Sequence, residues 1–62
     1  MSKRILILET SVTMQKLFTT SLDGDDFTLQ FVGNGKDAIY SLFDFQPDIL
    51  LVNADVQEPR SF

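Results

Sequence analysis

Pro47 and Asp48 lead into Ile49, Leu50, Leu51 and Val52, four apolar side chains in a row, and Asn53, Ala54 and Asp55 follow. Successive side chains of a strand point to opposite faces, so a run with no polar interruption leaves no face for water. A strand of that kind is normally covered on both sides, as the central strands of parallel α/β sheets are. The polar residues behind it then stand at a carboxyl end, where open α/β sheets bind their ligands. Asn53 and Asp55 are therefore candidate site residues.

A second uninterrupted run, Ile5 to Leu8, ends on Glu9, Thr10 and Ser11. It reads as another strand buried on both faces, and the hydroxyls of Thr10 and Ser11 can cap a helix. Met14, Leu17, Phe18, Ser21 and Leu22 follow at the spacing of one helical face packed on a sheet. Asp23, Gly24, Asp25 and Asp26 stop that helix, with Gly24 the natural left-handed cap. The acids lack the ligand spacing of a calcium loop and read as a solvated turn.

Phe27, Leu29 and Phe31 alternate with Thr28 and Gln30, which predicts a strand with one dry face and one wet or weakly covered face, as at a sheet edge. Asn34-Gly35 alone suggests a hairpin. The period then changes: Ala38, Ile39, Leu42 and Phe43 form a helical stripe, with Asp37 in the first turn favourable to the helix dipole. That helix ends by Gln46, because Pro47 disfavours helical backbone in the residue before it.

The element order is strand, helix, strand, helix, strand. Right-handed crossovers place the helices on opposite faces if the third strand lies beside the first, across from the second. The fold class is then α/β, a partial doubly wound parallel sheet of strand order 2-1-3. Such a sheet leaves the third strand without a neighbour on its far side, and an exposed apolar edge recruits another strand. The chain is expected to be half of a larger domain, or to pair with a protein partner or a second copy as a homodimer at that edge. A free-standing three-stranded mini-domain is the alternative. At 62 residues a folded chain buries only about 60% of its unfolded surface, and no cysteine is present to staple it.

Composition narrows the chemistry. Without cysteine or histidine, thiolate nucleophiles, imidazole bases and zinc sites built from those residues are excluded. Any metal would be a hard cation held by oxygens, such as Mg2+. Nine acidic against five scattered basic residues, a net charge of -4, argue against nucleic acid. No apolar run approaches the roughly 20 residues that span a bilayer, and the run behind Met1 to Arg4 is too short for a signal peptide. A cytoplasmic location is expected. Most of the aromatic residues Phe18, Phe27, Phe31, Tyr40 and Phe43 read as core, although Tyr40 lies between stripe positions; Phe45 and Phe62 are expected to be exposed or to touch a second chain.

In this strand order Glu9 and the segment from Asn53 to Asp55 meet at one carboxyl edge. Converging carboxylates there could hold Mg2+, and an aspartate beside the cation could take a phosphoryl group. The plainer possibility is that Glu9 and Asp55 are solvated loop acids.

The stretches "KRILILETSVTMQKLF", "GNGKDAI" and "PDILLVNADVQEP" resemble, in order and separation, the first half of a response-regulator receiver domain, of the CheY-like type. The resemblance covers nearly all of residues 1–62 and about half of such a domain. It implies a doubly wound five-stranded parallel sheet and phosphoryl transfer from a histidine kinase to an aspartate after the third strand. It also implies Mg2+ held by an acidic pair after the first strand. Position by position, that pair falls on Glu9 and Thr10, so one acid survives. Counting from Pro47, the acceptor falls on Asn53, whose amide takes no phosphoryl group. Counting back from Pro59, it falls on Asp55. The forward count keeps the length of the buried run and is preferred. The family's switch hydroxyl and lysine would lie on later strands, beyond residue 62.

A degenerate receiver that acts by protein–protein interaction, not as an enzyme, is the expected function. No cofactor is expected, with Mg2+ possible and Glu9 and Asp55 as weak ligand candidates. The alternative is a phosphorylatable fragment that uses Asp55 with Mg2+ and a histidine kinase. A nucleotide- or flavin-binding domain is disfavoured, since those need a glycine-rich or hydroxyl-rich phosphate loop after the first strand and no glycine precedes Gly24.

Overall fold

A computed structural model of the chain describes residues 2–22 and 24–53. The elements are β1 (Lys3–Leu8), α1 (Val12–Ser21), β2 (Phe27–Val32), α2 (Gly35–Asp44) and β3 (Ile49–Val52). All strand pairs are parallel and the sheet order is β2-β1-β3, as the patterning predicts. Ile5 pairs with Leu29 on one side and Ile49 on the other, and Ile7 with Phe31 and Leu51. Partners in register share a face, so these six line one side of the sheet, and Leu6, Leu8, Gln30, Val32, Leu50 and Val52 line the other. Asp48 pins the β1–β3 register: its N–H donates to the Arg4 carbonyl at 2.7 Å, and its carboxylate accepts the Arg4 N–H at 2.8 Å.

The helices lie on opposite faces. Met14, Leu17, Phe18 and Leu22 of the α1 segment line a groove of about 340 Å³ with Leu51, on the Ile5–Ile7 face. On the other face α2 packs against β1 and β2, and the Gln30 side-chain amide donates to the Ser41 hydroxyl at 3.0 Å. Ser11 caps α1, its hydroxyl accepting the Met14 N–H. Asn34 opens α2 rather than a hairpin. Its side-chain oxygen accepts the Asp37 N–H at 2.8 Å, capping the helix, while its amide donates to the Asp37 carboxylate at 3.2 Å and holds the cap in place.

Burial departs from the sequence pattern in three places. β1 is enclosed on both faces, with Leu6 and Ile7 fully buried. β3 is not: Ile49, Leu50 and Val52 are 45%, 49% and 59% exposed, because it stands at an edge and α2 packs on β1 and β2 instead. The buried positions of α2 are Ala38 and Ser41, while Ile39, Leu42 and Phe43 of the predicted stripe are exposed. The small pair lets the helix approach the sheet, and Ser41 gives half-buried Gln30 a polar partner that an apolar side chain would withhold. The Gln30 face of β2 is thus weakly covered, with Thr28 exposed, as its alternation predicts. Finally, Phe43 is exposed where core is expected, Tyr40, between the stripe positions, is exposed too, and Phe45 is half-buried; Phe62 lies outside the described residues.

The helix ends also differ in detail. α1 closes at Leu22, whose N–H donates to the Phe18 carbonyl, and Gly24, at φ 125°, serves the turn into β2 rather than the cap itself. Past the C-cap Phe45, Gln46 stands before Pro47 in the left-handed region at φ 52°. Left-handed backbone costs a side-chain-bearing residue about 1–2 kcal/mol, and glycine avoids it at an entropic cost of roughly 0.5–1 kcal/mol. Gln46→Gly is therefore expected to raise stability by about 0.5–1 kcal/mol, read as a higher melting temperature. An unchanged or lower one would show that Gln46 carries no strain.

Candidate functional site

The carboxyl ends of β1 and β3 lie side by side, and the ladder runs one residue past each strand. The Asn53 N–H donates to the Leu8 carbonyl and the Glu9 N–H to the Val32 carbonyl, each at 3.0 Å. Glu9 and Asn53, 44 residues apart in the chain, therefore meet as the parallel order requires. Thr10, the other member of the expected pair, is exposed. Asp55 lies outside the described residues.

Glu9 is not a solvated loop acid. It is 3% exposed, and both carboxylate oxygens accept hydrogen bonds. Oε1 takes the Asn53 side-chain amide at 2.6 Å and Oε2 takes the Ser11 N–H at 2.9 Å. The Gln15 side-chain amide donates to the Glu9 carbonyl at 2.8 Å, so the first turn of α1 is tied to the same residue. A buried carboxylate needs such donors, since an unpaired one costs several kcal/mol. Every buried side-chain nitrogen or oxygen among the described residues has a partner.

The sequence marks Asn53 as a candidate site residue but not its bond to Glu9, nor the role of Gln15. The signal that could have found Gln15 is a long amide one turn inside a helix that starts beside a buried strand end, within reach of that strand's last carbonyl.

Mg2+ is held through one or two carboxylates with waters completing an octahedron. Among the described residues a single carboxylate, that of Glu9, stands at this edge, and one of its oxygens faces the Asn53 amide N–H. Among the described residues no group of three acidic side chains converges, and no helix is long and apolar enough to cross a membrane. Comparison with protein-family models, with curated proteins and with solved structures returns no match.

Proposed function

We propose that the chain is the first half of a receiver-like signalling module of the two-component, phosphorelay type, not phosphorylated itself and working by protein–protein interaction in the cytoplasm. The observation that carries this is the Asn53 amide donating into the buried Glu9 carboxylate. In a receiver those two positions would be the phosphoryl acceptor and a cation ligand. An amide in the acceptor position has no nucleophilic oxygen of the kind a carboxylate offers, and its N–H satisfies the acid that would otherwise call for a cation. The module is not an enzyme in this reading and needs no cofactor.

The contact surface is the open edge of β3, where a protein partner or a second copy adds a strand. Half-exposed Ile49, Leu50 and Val52 support this, since exposed apolar edge strands are templates for pairing.

Incubation with Mg2+ and a small-molecule phosphodonor is expected to leave the intact mass unchanged. A phosphoryl adduct mapped by peptide mass spectrometry to Asp55 would overturn the proposal in favour of a phosphorylatable receiver that uses Asp55, Mg2+ and a histidine kinase.

A further inference from the structure

We infer that Asn53 and Glu9 form a latch that makes the tip of β3 and the first turns of α1 move as one unit. The groups connect without a gap. From Asn53 on β3 the hydrogen bond runs to the Glu9 carboxylate, whose other oxygen holds the N–H of Ser11, the cap of α1; the Glu9 carbonyl holds Gln15 one turn further on.

α1 has little else to seat it. Its ten residues are all exposed or half-buried, Leu17 is 53% exposed, and an open groove separates its apolar side chains from Leu51. A helix of ten residues is marginal on its own propensity and depends on tertiary contacts. Its order is therefore set to an unusual degree by the polar hub at its amino end. Because coupling is reciprocal, whatever fixes or frees the tip of β3 changes the order of α1 by the same free energy. In this way an event at the β3 edge is reported along α1, the helix that faces Leu51 across the groove. Only that last consequence rests on the proposal that the edge binds a partner; the latch itself is a property of the chain alone.

The polarity of the latch gives it a specific test. Asn53 is the donor and Glu9 the acceptor, and aspartate is nearly isosteric with asparagine, as glutamine is with glutamate. Asn53→Asp removes the donor and sets two carboxylates against each other at hydrogen-bond distance. Adding Glu9→Gln reverses the pair: the introduced glutamine keeps an oxygen for the Ser11 N–H and turns its amide toward the introduced aspartate.

Amide hydrogen exchange is measured on the full natural chain and on both variants. In Asn53→Asp the amides of Lys16 to Ser21 are expected to exchange on the order of tenfold faster relative to those of Ile5 to Leu8, the equivalent of one hydrogen bond to a charged group. The double variant Glu9→Gln/Asn53→Asp is expected to return them to the wild-type ratio. A side chain that merely filled space would not be rescued by reversing polarity. The latch is overturned if Asn53→Asp leaves α1 as protected as in the wild type, or if the double variant is no better than the single one. Either result leaves the phosphodonor outcome untouched, so the two proposals fail separately.

Discussion

Leu6→Ala is expected to abolish the chain's cooperative thermal transition. Leu6 is fully buried at the centre of β1, and truncating a buried leucine costs about 2–5 kcal/mol through lost transfer energy and the cavity left behind. A domain of this length has roughly 3–9 kcal/mol of stability to lose, at about 0.05–0.15 kcal/mol per residue. The true figure lies toward the lower end. Among the described residues the buried apolar ones are Ile5, Leu6, Ile7 and Ala38, so β1 supplies nearly all of that enclosed core and α1 adds no fully buried side chain. Each kcal/mol moves the melting temperature of so small a domain by about 4–8 °C. The loss at Leu6 therefore either removes the transition or lowers it by about 8–40 °C. Leu50→Ala is the control, because Leu50 lies on the same face of the sheet but is 49% exposed. It should cost less than about 1 kcal/mol. Thermal melts of the two variants by circular dichroism separate these outcomes. Equal shifts would mean that β1 is not the centre of the fold.

The contrast between Leu6 and Leu50 is also where sequence and structure part company. Both sit in uninterrupted apolar runs, and the two runs look alike as strings. What separates them is position in the sheet: β1 has strands on both sides and β3 on one. The order 2-1-3 was legible because two runs lacked polar residues and one alternated, and because two helical periods had to cross over to opposite faces. The rotation of α2 was not. Gln30 and Ser41 each look like outward-facing residues, and only as a pair, at 3.0 Å, do they satisfy one another in a half-buried layer and turn Ile39 and Phe43 out. At the site the same logic holds in miniature. The meeting of Glu9 with Asn53 follows from parallel neighbours. The burial of Glu9 does not, since it depends on an amide from Asn53, far along the chain, and on the backbone N–H of Ser11 turning back on the same carboxylate. Local pattern identifies faces reliably where one residue type dominates, and fails where two polar residues cancel.

Leu50→Lys combined with Val52→Lys is expected to weaken association through β3 by at least about 100-fold while leaving the fold intact. Both side chains lie on the α2 face of the sheet. They are 49% and 59% exposed in the single chain, so lysines there keep their charge in water and should change the chain's own stability by no more than about 0.5 kcal/mol. Once a further strand is added, the same positions face a covered layer. A lysine must then either lose solvation or hold its long stem away from the neighbouring helix, at a cost of several kcal/mol for an unpaired buried charge. Two such positions exceed the roughly 2.7 kcal/mol that a 100-fold loss represents. Lysine is also among the residues that natural edge strands carry to prevent pairing, and β3 carries none, reading Ile49, Leu50, Leu51 and Val52. Sedimentation equilibrium of the wild type is expected to give a mass above that of one chain, or above that of the partner alone when a partner is supplied, and the double variant a monomer mass with an unchanged melt. If instead the wild type sediments as a strict monomer with a cooperative melt, then half-exposed Ile49, Leu50 and Val52 are tolerated by a free-standing sheet, and no second copy docks at the β3 edge.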